Sequence, residues 1–245
     1  MTILGVIGPS GGVGCSTVVA ALGMRAAQAG VRVAVVDGDP LRGGLQVTMA
    51  AEHLPGHRWS HLVEVDGEVG GERLLNRLPT VEGCAVLSGG RASSDLEAVV
   101  PEQVPDEAFE AVLAALDRAC DLVVIDWGRV ARLGWGASVL ILPVTARGLA
   151  DAQAWLGGNG HEGLAGVVTR GSGREQRIAD DLARGLGLPL LGHLRDDRSV
   201  RAAERQGVPP GLRKRGGVAR LSDSLVASVL AVADAQAGDP VGSRV

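Results

Sequence analysis

The chain has 245 residues, 46% of them hydrophobic and 21% charged, with a net charge of −4. That apolar share excludes a disordered chain, and the length suits one large domain or two small ones. Three scattered cysteines (Cys15, Cys84, Cys120) exclude a disulfide framework and a CxxC metal site, and four tryptophans with one phenylalanine and no tyrosine give too few rings for a base-stacking nucleic-acid platform.

Short β-branched runs at 3–8, 31–37, 84–88, 121–126, 138–144, 163–169 and 190–194 are apolar nearly throughout, as in strands buried on both faces of a parallel sheet. Between them, Ala/Leu/Arg-rich stretches at 16–29, 71–78, 106–119, 149–156, 173–186, 199–206 and 218–235 have helical length and spacing. The alternation predicts βαβ units and an α/β fold: a doubly wound, mostly parallel sheet with helices on both faces. With no internal repeat and no splitting linker, residues 1–236 are expected to form a single domain and 237–245 a flexible tail. The segments 89–94 and 209–217 read as surface excursions. The apolar run at 3–7 lacks a basic flank, and the run at 225–233 is about half the ~20 residues of a membrane span, so a cytoplasmic protein is expected.

Between the first strand and the first helix stands Gly8-Pro-Ser-Gly-Gly-Val-Gly-Cys-Ser-Thr17. Glycines at 11, 12 and 14 permit positive φ, so successive backbone N–H groups can turn inward as an anion nest, backed by the helix N-terminus. In this geometry the Ser16 hydroxyl sits where a Mg²⁺ ligand belongs. The second strand runs into Val35-Val-Asp-Gly-Asp-Pro-Leu-Arg-Gly-Gly-Leu45, which places the carboxylates of Asp37 and Asp39 at the ligand-binding edge of such a sheet. Asp121-Leu-Val-Val-Ile-Asp-Trp-Gly128 is an apolar strand ending in Asp126, suited to hold Mg²⁺ through water.

These three motifs, in order and at βαβ spacing, resemble the deviant Walker A loop, the Asp-x-Asp-Pro segment and the Walker B strand of the ParA/MinD superfamily of P-loop ATPases. Leu140-Ile-Leu-Pro-Val-Thr145 with Leu149-Ala-Asp-Ala-Gln153, and Gly187-Leu-Pro-Leu-Leu-Gly-His-Leu-Arg-Asp-Asp197 followed by Gly207-Val-Pro209, extend the resemblance over essentially the whole chain. The resemblance implies ATP or ADP with Mg²⁺ as ligand. It assigns nucleotide binding to Ser10, Gly11, Gly12, Val13, Gly14, Cys15, Ser16, Thr17, Arg170 and Asp196, metal binding to Ser16, Asp39 and Asp126, and the handling of the attacking water to Asp37 and Asp39. It also implies a homodimer.

Departures from the family pattern are specific. Of the 24 basic residues one is lysine, Lys214, and the family's two loop lysines fall on Ser10 and Cys15. A lysine–phosphate contact contributes ~1.5–3 kcal/mol, roughly 10- to 150-fold in affinity, so the expectation is a nucleotide held weakly by the nest and Mg²⁺, or no longer held. Hydrolysis depends more on charge stabilisation, so at most a weak ATPase is expected. Arg42 and Arg147 are arginines that could stand in. Cys15, at a helix N-terminus, is open to two readings: a small side chain filling the lysine's place, or a thiol of lowered pKa. Trp127-Gly-Arg129 replaces the family's Pro-Ala-Gly after the Walker B Asp, and Thr169-Arg170 stands where an adenine-reading Asn is usual.

Within the superfamily the lysine-poor loop looks most like the CpaE/TadZ branch, nearest its actinobacterial septum-site-determining group, whose members often carry a receiver-like domain ahead of the first strand; none is read here. That implies a positioning factor for septum placement or Tad-pilus and secretion assembly, recruited to pole or septum, with protein partners from the division or pilus machinery. An active partition ATPase moving on DNA is the alternative, and an enzyme of the same fold, a carboxylate-activating synthetase or iron–sulfur carrier, is a third. DNA binding is not expected, and membrane contact at most peripheral. His53, His57 and His61 fall four apart, but Pro55-Gly56 breaks any helix aligning them, so exposed loop histidines are expected rather than ligands. Arg213-Lys-Arg215 reads as a solvated turn, and Val218, Leu221, Leu225, Val229 and Val232 as the core face of a terminal helix.

Overall fold

The computed structural model describes residues 2–39, 44–65, 67–89, 104–129 and 134–237. Among them the strands are β1 (Ile3–Ile7), β2 (Val33–Asp37), β3 (Thr80–Val81), β4 (Cys84–Leu87), β5 (Leu122–Gly128), β6 (Ala137–Pro143), β7 (Leu164–Gly171) and β8 (Leu190–Arg195). The helices are α1 (Cys15–Gln28), α2 (Gly44–Thr48), α3 (Gly71–Leu75), α4 (Asp106–Ala119), α5 (Ala146–Asn159), α6 (Gln176–Gly185), α7 (Arg198–Glu204) and α8 (Gly217–Ala237). One sheet runs β3-β4-β2-β5-β1-β6-β7-β8, antiparallel only at the β3–β4 edge. The fold is the doubly wound α/β arrangement that the sequence predicts.

Strand residues alternate between two cores with period two. Val33, Val35, Leu122, Val124, Val139 and Ile141 pack toward α1, α2 and α8. Ala34, Val36, Val123, Ile125, Leu140 and Leu142 pack toward α3, α4, α5 and α6. Both faces of the central strands are therefore buried, which is why their sequences read as unbroken apolar runs. Helix α1 is so largely buried (Val18 through Leu22 and Met24 are at most 1% exposed) that Gly23 is needed where it crosses β2: a Cβ there would press on Val35 and on the Cys84 sulfur.

Several boundaries differ from expectation. Helix α5 begins at Ala146, three residues earlier than predicted, because Thr145 caps it: its Oγ1 accepts the Gly148 N–H at 2.9 Å. Helix α3 stops at Leu75 instead of reaching 78, and a 3₁₀ turn at Gly173–Glu175 precedes α6 where one continuous helix was expected. The two-residue β3 and the five-residue α2 were not anticipated. Helix α8 runs through Ala237, one residue into the expected tail, and residues 238–245 and 90–94 lie outside the described residues. Along α8, Val218, Leu221 and Leu225 are buried as expected, whereas Val232 is 57% exposed. No described helix is long and apolar enough to cross a membrane.

Candidate functional site

A cleft of about 440 Å³ opens at the carboxyl ends of β1, β2, β5, β7 and β8, the usual ligand crevice of a doubly wound sheet. It is lined by every residue the sequence assigns to a site: Ser10 through Thr17, Asp37, Asp39, Asp126, Arg170 and Asp196.

Its floor is the loop between β1 and α1. Gly12 and Gly14 have φ of 77° and 107°, values that strain any other residue, and Gly14 occupies the N-cap of α1. No side chain caps this helix and no acidic residue stands in its first turn, so its leading N–H groups are directed at the cleft. A Cβ on Gly11 or Gly12 would meet nothing within 4 Å. The loop is anchored at its start, where the Gly8 N–H donates to the Gly128 carbonyl at 2.7 Å.

Cys15 takes the place of the second family lysine without its chemistry. The thiol is buried under the loop, facing Gly8, where a Cβ would stand 2.7 Å from its sulfur. Burial, and secondarily the Asp126 carboxylate, push it well above the ordinary thiol range. Of the two readings open for Cys15 this supports the small side chain filling the lysine's place, because desolvation of the thiolate outweighs the helix dipole.

Opposite the loop lie the carboxylates. Asp126, buried at the end of β5, accepts hydrogen bonds from the Ser16 hydroxyl and from the Gly128 N–H at 3.1 Å; burial raises its pKa, and Asp39 nearby adds to the rise. Asp37, 5% exposed, is pushed up to about 7, mainly by burial and further by Asp126. Its oxygens are committed: Oδ2 accepts from Ser88 Oγ at 2.8 Å, Oδ1 from the Asp39 N–H at 3.2 Å, and the carboxylate also takes the Leu45 N–H. Asp37 therefore holds the start of α2, and Asp39, half-buried, is the more open of the two. Ser88 also accepts the Gln46 N–H at 3.3 Å. Neither Ser88 nor α2 was signalled by the sequence, since the contacts join residues 42 and 51 apart.

Trp127 explains the departure after Asp126. Its indole is fully buried, tilted against Phe109 (5.6 Å), which stacks on Trp59 at 5.1 Å. Glycines at 5 and 38 make the room: a Cβ on Gly38 would come within 2.6 Å of Trp127 Cε3. Trp59 in turn donates its indole N–H to the Asp37 carbonyl at 2.9 Å.

The cleft's far side is formed by the end of β8 and α7. Arg170, on β7, donates Nε–H to Asp196 Oδ1 at 2.9 Å and Nη1–H to the Val13 carbonyl at 3.2 Å. Thr17 Oγ1 donates to Glu204 Oε1 at 3.2 Å, joining α1 to α7. Arg129, Arg195 and Arg201 also line the cleft, none of them foreseen. Of the two arginines offered as lysine surrogates, Arg147 does not line it: its exposed guanidinium pairs with Asp151 one turn along α5 at 2.7 Å. Arg42 lies outside the described residues.

Elsewhere, the histidine triplet forms no ligand set. His57 and His61 meet edge to face at 5.2 Å, but His53 stays apart and His57 is half-buried, not exposed as expected. Among the described residues no group of His, Cys, Asp or Glu is arranged to hold a metal by itself. The cleft's donor set fits Mg²⁺ carried on a phosphate group: one hydroxyl, Ser16, beside Asp126 and Asp39, facing an open nest.

The family model for the CobQ/CobB/MinD/ParA nucleotide binding domain matches residues 4–210. The chain belongs to this family. It is 30% identical over 208 residues to an uncharacterized protein of Mycobacterium tuberculosis, Rv3660c, a match that covers 79% of this chain and 54% of that protein, so the chain spans about half the length of that curated relative. Among solved structures its fold resembles that of a chain in the MinC:MinD cell division protein complex of Aquifex aeolicus (TM-score 0.70, 14% identity, 100% of this chain and 99% of that one). It also resembles the septum site-determining protein MinD of Pyrococcus horikoshii in complex with Mg-ADP (TM-score 0.65, 18% identity, 97% and 99%).

Proposed function

We propose that this chain is a nucleotide-dependent positioning protein of the CpaE/TadZ type, binding Mg-ATP or Mg-ADP in the β1–α1 cleft and acting chiefly as a binding switch. The observation that carries the reading is a complete phosphate nest set against Ser16, Asp39 and Asp126, with both lysine positions of the family loop filled by Ser10 and Cys15. A nest of N–H groups and a metal ligand retain binding, while loss of cations at the transferring phosphoryl group leaves slow turnover. Mg²⁺, when bound, would neutralise phosphate charge; Ser16 and Asp126 would hold it and Asp39 would orient the water beyond it. Asp37 serves this arrangement by fixing α2.

In this reading the protein acts as a homodimer at the septum or pole, on partners from the division, Tad-pilus or secretion machinery. Calorimetric titration of Mg-ATP and Mg-ADP into the wild type, Cys15→Lys and Ser10→Lys tests it. Weak binding by the wild type, tightened roughly 10-fold or more in Cys15→Lys, is expected. Micromolar binding with brisk, DNA-stimulated turnover would favour the partition ATPase instead, and no binding by any of the three proteins would overturn the nucleotide reading.

A further inference from the structure

We infer that Arg170 supplies the phosphate-side cation this chain no longer has in its loop, reaching it from β7 instead of from α1. The inference rests on the nucleotide-binding reading and deepens it.

Arg170 is the one cleft arginine that, among the described residues, is hydrogen-bonded to the phosphate loop. Its Nη1 lies 3.2 Å from the Val13 carbonyl and 3.1 Å from where a Cβ on Gly14 would stand. Val13 and Gly14 lead directly into the first turn of α1, the part of the loop whose N–H groups point at the cleft. The side chain is 25% exposed, and its charge is paired with the more open carboxylate of Asp196, 60% exposed. Two of its five N–H groups are given to Asp196 and Val13, and the residue lines the cleft.

The backbone fixes this placement. Arg170 pairs with Pro143 on one side and Leu194 on the other, and its carbonyl accepts the Val144 N–H at 2.8 Å. Asp196 then aligns the guanidinium through Nε, which sets the plane of the fork. The other cleft cations are less suited: Arg195 is turned to Gln176 at 3.3 Å, and Arg129 and Arg201 are exposed. A lysine at position 15 would bring its charge up from beneath the loop. Arg170 brings one in from the side, where a rigid strand replaces a flexible stem.

The test separates charge from bracing by titrating adenosine, AMP and Mg-ADP into wild type, Arg170→Gln, Arg170→Lys and the double variant Arg170→Gln with Cys15→Lys, each checked for a wild-type melting transition. Gln keeps an N–H donor for the Val13 carbonyl and loses the charge. Expected are a roughly 10- to 100-fold weaker ADP affinity in Arg170→Gln with adenosine affinity unchanged, near-wild-type ADP binding in Arg170→Lys, and recovery in the double variant. Equal losses for adenosine and ADP would make Arg170 a brace only, and an unchanged ADP affinity would give it no part. Either result overturns the inference while the nucleotide reading stands, whereas a wild type that binds neither AMP nor ADP overturns that reading itself. Should Arg170→Gln lack a melting transition, Arg170→Met takes its place and is judged by the same outcomes.

Discussion

Ser88 donates its hydroxyl to the Asp37 carboxylate at 2.8 Å inside the protein, across 51 residues of sequence. Together with the Asp39 and Leu45 N–H groups it gives a buried acid enough donors to lower its pKa, yet burial beside Asp126 wins and the group ends near 7.

A pH dependence of stability follows. Unfolded, Asp37 titrates near 3.8; folded, near 7. Between these values the folded state binds a proton that the unfolded state has released, so this residue's contribution is fully present below about pH 4 and is lost as pH rises through 7. Asp37→Asn is expected to match wild type at pH 4 and to melt a few degrees higher at pH 8. Melting curves across that range check it; a variant whose advantage shrinks with rising pH would contradict it. Asp126, raised in the same sense, keeps part of the slope in both proteins.

Much of this was legible in the sequence, and the reasons for the exceptions are physical. Strands such as Val33–Asp37 announce themselves because both faces are buried, so every residue before the terminal Asp37 is apolar. The nest and Asp126 were legible because glycines and a strand-terminal acid are local signals. Helix α2 was not: five residues carry no period, and its start is held by Asp37 and Ser88 rather than by its own sequence. The Arg170–Asp196 pair joins two strands through a register that only the folded sheet sets. Trp127 looked like a broken motif because the room made for it comes from glycines at 5 and 38.

Cys15 is expected to be an inert thiol. Since burial and Asp126 favour its protonated form, alkylation by iodoacetamide at pH 8 should run at least 10-fold slower in the folded protein than in urea. Comparable rates in the two states would show an accessible thiolate and reinstate the reactive reading.

Gly38→Ala should destabilise by roughly 1–3 kcal/mol, because the added methyl meets Trp127 Cε3 at 2.6 Å and the Asp126 carbonyl at 2.9 Å. Much of that cost should disappear in a Trp127→Phe background, where the smaller ring leaves space. A double-mutant cycle by urea denaturation measures the coupling, and additive effects would refute the contact.

Arg58, 1% exposed, has no acidic partner among the described residues; it gives its N–H groups to Gln46 Oε1 and to the carbonyls of Ala51, Leu54, Gly56 and His57. Arg58→Met strands those carbonyls and should cost about 3 kcal/mol or more in urea denaturation. A loss under 1 kcal/mol would mean that the loop finds other donors.

The column of Trp59, Phe109 and Trp127 mounts the two buried acids on one frame. Trp59 grips the main chain of Asp37, and Trp127 follows Asp126 on the same strand. Separating the two carboxylates would mean unstacking the most deeply enclosed rings of the molecule. The acidic end of the cleft is accordingly a fixed jaw. The other jaw, the end of β8 and α7, meets the loop side nearer the surface: Asp196 stands 60% exposed, and Arg170 and Thr17 reach Asp196 and Glu204 by one hydrogen bond each, above the buried Leu194 and Ala203.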